Sequence, residues 1–203
     1  MKIKICGLFR CEDIEYANEA LPDYAGFVFA ESRRQVSCEK AAELRKRLDR
    51  RISAVGVFVN NDVDFIADLV HNNIIDIVQL HGAENEDFVR RLHKKIPPES
   101  TVIKAFSVNS REDIERAAEF PSDFMLLDNG RGGTGQAFAW ELLHENMPER
   151  VFLAGGVNTE NIAQAAKLRP YCIDVSSGAE TDGFKDREKI LKLVQTAHEF
   201  NIK

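Results

Sequence analysis

What most constrains this chain is a repeat of signals rather than of residues. Short runs rich in Val, Ile and Phe alternate with longer amphipathic stretches from one end to the other. The pattern predicts strands over 2–5, 24–29, 52–59, 75–80, 101–106, 124–127, 150–154 and 171–175. Helices are expected over 12–21, 37–49, 62–73, 84–95, 110–119, 138–147, 159–168 and 186–200. Ser37 and Ser110 read as N-caps, and Asp113 stands three residues after Ser110 in a capping-box pattern. Eight strand–helix units at about 25 residues each approach the compact limit of a (β/α)8 barrel, for which roughly 250 residues are typical. An open doubly wound sheet is the alternative, but no G-x-G-x-x-G follows the first strand. Eight copies of one unit favour closure. The expectation is an α/β fold, a (β/α)8 TIM barrel, occupying residues 1–203 as one domain.

Composition removes several function classes. Net charge is -6 with both signs interspersed, which leaves no basic nucleic-acid footprint and no tail of one sign. No apolar run approaches the ~20 residues that span a bilayer. The start, Met1-Lys2-Ile3-Lys4-Ile5, lacks a long apolar signal segment, so a cytoplasmic location with neither membrane nor nucleic-acid partners is expected. Cys6, Cys11, Cys38 and Cys172 form no C-x-x-C pair, and the five histidines form no H-E-x-x-H cluster. Reduced thiols and no metal site are the expectation.

In a barrel, chemistry is placed at the carboxyl ends of the strands. Those ends carry Cys6-Gly7, the Glu31 to Arg34 loop, Asn60-Asn61, His81-Gly82, Ser107, Asp128 with its loop, Gly155-Gly156 and Ser176-Ser177-Gly178. Side chains alternate along a strand, so the parity can be read. With Ile3 and Ile5 facing the helices, Lys4 and Cys6 face the interior. Gln79 and His81, then Phe124, Leu126 and Asp128, then Cys172, Asp174 and Ser176, do the same. Cys6 and Asp128 thus point into one pocket from strands that are not neighbours, an arrangement suited to a base on one side of a substrate and an acid on the other. Each has a plainer reading: a strand ending in Asp before a turn is common, and a lone cysteine is more often a small buried hydrophobe. Lys4 and Asp174 are expected to pair across the first and eighth strands, because either charge buried alone costs several kcal/mol.

The small residues after strands seven and eight let backbone N–H groups approach an anion, and phosphate is frequently bound there. Gly133-Thr134-Gly135 offers another turn of donors. One of Arg33 and Arg34 is placed to hold a carboxylate bidentately, and alternation cannot choose between them inside a loop. His81 either contacts substrate or braces a neighbouring loop.

At these residues the chain resembles the phosphoribosylanthranilate isomerase family. The likeness runs through Lys4-Ile5-Cys6-Gly7, Gly26-Phe27-Val28-Phe29, Ser32-Arg33-Arg34, Val55-Gly56-Val57-Phe58-Val59 and Gln79-Leu80-His81-Gly82. It continues through Leu127-Asp128, Gly132-Gly133-Thr134-Gly135, Ala154-Gly155-Gly156 and Asp174-Val175-Ser176-Ser177-Gly178. The resemblance implies an Amadori rearrangement, an aldose–ketose isomerisation of N-(5-phospho-β-D-ribosyl)anthranilate to 1-(2-carboxyphenylamino)-1-deoxy-D-ribulose 5-phosphate. It implies Cys6 as general base, Asp128 as general acid and Arg34 as the contact for the anthranilate carboxylate. His81 joins the substrate contacts, and Gly133, Gly155, Gly156, Ser176, Ser177 and Gly178 surround the phosphate. No metal or organic cofactor is implied, and either a monomer or a homodimer fits the family.

An acid that is protonated and a base that is deprotonated at one pH need opposed pKa shifts. Burial and phosphate are expected to raise Asp128, and positive charge, with Lys4 a candidate, to lower Cys6. The chain departs from the family's habit in three places. Only Asn129, Gly130 and Arg131 separate the acid from the Gly-Gly-Thr-Gly turn, Ala139 stands where an aspartate is usual, and Ala30-Glu31 lies where a proline is common nearby. The alternatives are a bifunctional or histidine-pathway aminoaldose-phosphate isomerase, a pentose-phosphate epimerase and a non-enzymatic phosphate-binding module. The first would favour a second aspartate as base, where Cys6 stands. The epimerase would need metal-ligating histidines and carboxylates, and the module leaves Cys6 and Asp128 unexplained.

Overall fold

A computed structural model describes residues 1–128 and 148–200. Eight parallel strands close into a barrel in chain order. They are β1 (Lys2–Cys6), β2 (Tyr24–Val28), β3 (Ser53–Phe58), β4 (Ile77–Leu80), β5 (Thr101–Ser107), β6 (Phe124–Asp128), β7 (Val151–Leu153) and β8 (Cys172–Val175). The described helices are α1 (Cys11–Ala20), α2 (Cys38–Arg47), α3 (Val63–His71), α4 (Glu86–His93), α5 (Arg111–Glu119), α6 (Ile162–Lys167) and α7 (Arg187–Glu199). The TIM barrel read from the sequence is the fold. The helix expected over 138–147 lies outside the described residues, as do Gly133 and Ala139.

Local chemistry explains where the helices start. Ser37 accepts from the Lys40 N–H, Asp62 from Asp64, Asn85 from Phe88 and Asp186 from Lys189. Ser110 and Asp113 form the reciprocal box that their spacing predicted. The expected helix over 159–168 is a correction: α6 begins only at Ile162. Asn158 Oδ1 accepts from Glu160 and Asn161 N–H, while Asn161 Oδ1 accepts from Asn158 N–H. These side chains give the backbone a turn in place of the first helical bonds.

Strand parity sorts the core into two layers. Ile3, Ile5, Ala25, Phe27, Ala54, Phe58, Val78, Leu80, Leu127, Ile173 and Val175 pack outward in the main apolar cluster, against the helices. Tyr24, Val55, Ile103, Ala105, Leu126, Phe152, Ala154 and Cys172 form the separate cluster inside the barrel. A one-residue slip of β1 would exchange these faces and turn Lys4 into the apolar layer away from Asp174, an uncompensated buried charge that costs about 3–5 kcal/mol. The interior is itself graded. Tyr24, Phe124, Phe152 and Tyr171 pack ring against ring at its amino end, with centroids 4.6–5.7 Å apart. Lys2 Nζ donates to the Tyr24 and Tyr171 hydroxyls at 3.0 and 2.8 Å. This aromatic floor leaves the polar interior residues at the carboxyl rim.

One element was not anticipated. After β8, a short 3-10 turn (Ser177–Ala179) leads into a two-stranded antiparallel hairpin, β9 (Glu180–Thr181) and β10 (Phe184–Lys185). Asp182 and Gly183 turn it with φ of 51° and 84°. An Asp-Gly pair between short strands is a hairpin signal, so the sequence did contain the cue.

Candidate active site

The registers of β1, β4, β6 and β8 bring the predicted interior residues to one end of the barrel. Lys4 lies directly opposite Asp174 in the β1–β8 pairing. Its Nζ donates to both carboxylate oxygens of Asp174 at 3.0 and 3.1 Å, and the lysine is fully buried. The expected pair is there. Partial neutralisation by a bidentate partner is what lets a lysine occupy the interior, and Asp174 holds its ammonium above the usual lysine range against the opposing effect of burial.

Cys6 ends β1 one layer above this pair and is 7% exposed. Burial is the largest influence on its thiol and pushes the pKa up; Lys4 pulls it down, Asp174 pushes it up, and Lys185 pulls it down. The net direction is upward, opposite to the lowering expected from Lys4 alone. Desolvation of the thiolate outweighs the nearby cations, and Asp174 offsets part of the pull of Lys4. Ser176 donates its hydroxyl to the Cys6 carbonyl at 3.2 Å, tying the end of β8 to the end of β1.

His81 follows β4, held by a bond from its backbone N–H to the Phe58 carbonyl at 2.8 Å. Gln79, on the same interior face, donates from Nε2 to His81 Nδ1 at 3.0 Å, which leaves the ring proton on Nε2. That nitrogen lies 3.8 Å from Asp128 Oδ2. Burial lowers the His81 pKa against the pull of Asp128 and so favours the neutral ring. The sequence left open whether His81 faces substrate or braces a loop. Its ring lies beside Asp128, and Lys104 and Glu84 hold the loop that follows. Lys104 bonds the Gly82 carbonyl at 2.7 Å and Glu84 at 3.3 Å, while Glu84 accepts from the Asn60 and Gly82 N–H groups at 2.7 and 2.9 Å. Gln79 Oε1 is buried and has no hydrogen-bond partner among the described residues.

Asp128 closes β6, and its carbonyl accepts from the Val108 N–H at 2.9 Å. Its side chain is 15% exposed. Cys6 and Asp128 stand at strand ends separated by β7 and β8 on the shorter way round the barrel.

The loops after β7 and β8 pack against each other. A Cβ on Gly178 would run into the carbonyl oxygen of Val157, so only glycine permits this approach. The backbone N–H groups of Gly155, Gly156, Ser177 and Gly178 find no hydrogen-bond acceptor among the described residues. Backbone N–H groups left without acceptors on two adjoining loops of small residues are the kind of donor that an anion can take up.

The two arginines part company. Arg34 is 15% exposed along its side chain and Arg33 56%. Both bind Glu180, as does Lys185. Arg34 is also the one whose charge reaches Cys6. Glu180 and Lys185 were not anticipated from the sequence, since both belong to the hairpin. Among the described residues no group of three or more His, Cys, Asp or Glu is arranged to hold a metal ion.

Known proteins resemble this chain along nearly its whole length. The family model for N-(5'-phosphoribosyl)anthranilate (PRA) isomerase matches residues 3–196. An N-(5'-phosphoribosyl)anthranilate isomerase of Endomicrobium trichonymphae is 47% identical over 96% of each chain. The crystal structure of mutually generated monomers of the dimeric phosphoribosylanthranilate isomerase of Thermotoga maritima superposes with a TM-score of 0.85 at 34% identity, covering 98% of this chain and 99% of that one. A phosphoribosylanthranilate isomerase in complex with reduced 1-(o-carboxyphenylamino)-1-deoxyribulose 5-phosphate gives a TM-score of 0.84 at 34% identity, with the same coverage. With the family model matching residues 3–196, relatives of this identity and the same barrel over nearly its whole length, the chain belongs to the N-(5'-phosphoribosyl)anthranilate isomerase family.

Proposed function

We propose that Cys6 and Asp128 are the base and acid with which this chain carries out the Amadori rearrangement of its family. Protonated Asp128 delivers its proton to the furanose ring oxygen of N-(5-phospho-β-D-ribosyl)anthranilate, opening the ring to a Schiff base. Cys6, as thiolate, then removes the proton from C2', and the resulting enol-amine tautomerises to the ketone of 1-(2-carboxyphenylamino)-1-deoxy-D-ribulose 5-phosphate. The substrate carries its own electron sink, because the anthranilate nitrogen becomes the iminium. The observation that carries this reading is the placement of Cys6 and Asp128 at two strand ends of one barrel rim, with His81 Nε2 3.8 Å from the Asp128 carboxylate.

The other contacts follow the chemistry of each group. Gly155, Gly156, Ser176, Ser177 and Gly178 take the phosphate, Arg34 takes the anthranilate carboxylate, and His81 donates from Nε2 to substrate or to Asp128. The unpartnered Gln79 Oε1 accepts from a sugar hydroxyl. Gly133, outside the described residues, joins the phosphate contacts by its place in the Gly-Gly-Thr-Gly motif. The chain acts on this phosphorylated small molecule in the cytoplasm, as a monomer or a homodimer. The dimeric Thermotoga maritima relative supports the second form, and no described helix is long and apolar enough to cross a membrane.

Cys6→Ser and Asp128→Asn are expected each to lose at least ~100-fold in turnover, the scale usual for general acid–base groups, with circular dichroism unchanged. Near-full activity in either variant would reject that residue's role.

A further inference from the structure

The hairpin after β8 holds a charged cluster that the acid–base chemistry does not use. Glu180 is 8% exposed and Lys185 3%. Glu180 Oε1 accepts from Arg34 Nε at 2.6 Å and from Lys185 Nζ at 2.7 Å. Its Oε2 accepts from Arg34 Nη2 at 2.9 Å and from Arg33 Nη2 at 2.5 Å. Lys185 also donates to the Ser176 carbonyl at 2.9 Å, and so fastens the cluster to the strand end that is tied to Cys6. From the other side, Arg10 donates to the Lys185 carbonyl at 3.2 Å and stacks on Phe184 at 4.6 Å, while its own fork is held by fully buried Asp13.

Two features make this more than a surface ion pair. Three cations face one carboxylate, so the cluster keeps an excess of two positive charges beside the site. Glu180 occupies the Nε–Nη2 edge of Arg34, and Nη1 makes no hydrogen bond among the described residues. The arginine's stem lies across Gly7, where φ is 81° and a Cβ would collide with Arg34 Cδ. The guanidinium is therefore fixed at its stem by Gly7 and at one edge by Glu180, leaving the Nη1–Nη2 edge to receive an anion. A guanidinium held in one orientation loses little freedom when it binds a planar carboxylate through two parallel bonds.

We propose that Glu180 is a positioning residue for substrate recognition: it presents the Nη1–Nη2 edge of Arg34 to the substrate's aromatic carboxylate, with Lys185 anchoring Glu180 to the end of β8. This rests on the reading of Arg34 as the carboxylate contact, and the test separates the two. Dissociation constants are measured calorimetrically for reduced 1-(o-carboxyphenylamino)-1-deoxyribulose 5-phosphate and for its counterpart lacking the carboxylate. Glu180→Gln is expected to weaken the first by about 10-fold or more and the second by less than about 3-fold, the loss of one charge-assisted contact. In an Arg34→Ala background the same change is expected to have no further effect on either ligand, as for residues acting through one contact. Equal weakening of both ligands by Glu180→Gln, or a loss that persists without Arg34, would overturn the proposal. Failure of Arg34→Ala to discriminate the two ligands would overturn the Arg34 reading instead. Should Glu180→Gln not fold, Glu180→Asp withdraws the carboxylate by one carbon while keeping its charge. It is expected to give the same ligand-selective loss, and a non-selective one would count against the clamp.

Discussion

Lys4 shows how much a single interior residue carries. It is fully buried, paired with Asp174 at 3.0 Å, and stands beside the Cys6 thiol. Replacing it by Met leaves the Asp174 carboxylate buried without its cation, which is expected to cost about 3–5 kcal/mol of stability in urea unfolding. The sign with pH is fixed by the direction of the shift. The Lys4 pKa is raised on folding, so its contribution is fully present below about pH 10.4, the unfolded value, and is lost only as pH rises through the folded one. Catalysis should respond differently. The Cys6 pKa already lies above its ordinary value, which places the ascending limb of kcat/KM on the alkaline side. Lys4→Met removes a cation that pulls that pKa down, so the limb should move to still higher pH; an unmoved limb would show that Cys6 is not the group being titrated. The Lys4–Asp174 pair was legible in the sequence because alternation and the adjacency of first and last strands are both properties of the pattern. Glu180 was not. It meets Arg34 across 146 positions through a hairpin and a loop, and no period relates two such segments.

At the scale of elements, the strands and most helices follow from local chemistry. Ser110 with Asp113 and Ser37 with Lys40 N–H behave as their spacing dictates, whereas α6 is shortened by the Asn158–Asn161 turn, a competition that hydrophobic periodicity does not register. The hairpin β9–β10 is only two residues on each strand, too short for an alternating run, and its one cue is Asp182-Gly183. That turn can be tested. Gly183 sits at φ 84°, and an added Cβ would lie 2.9 Å from Arg33 Nη1, the movable end of a long side chain. Gly183→Ala is therefore expected to cost about 1–3 kcal/mol through backbone strain rather than collision. Because the turn sets Glu180 and Lys185, KM should rise more than kcat falls. A variant as stable as the parent would mean that the left-handed turn is not required.

For the molecule as a whole, closure of the barrel is what converts scattered motifs into a site. An aromatic floor fills the amino end of the interior, and the polar residues of β1, β4, β6 and β8 are left at the carboxyl end, beside the two glycine- and serine-rich loops. The net charge of -6 does not describe this region, where Lys4, Arg33, Arg34 and Lys185 lie close to Cys6 or to one another. The chain belongs to a family that isomerises phosphoribosylanthranilate, and this rim is where we propose that it does so. The measurement that tests it forms the substrate in place from anthranilate and phosphoribosyl pyrophosphate with the upstream transferase, then follows loss of its fluorescence on adding the chain with chelator present. Decay well above the spontaneous rate, abolished in Cys6→Ser and in Asp128→Asn, is the predicted result. No acceleration by the folded chain would contradict it.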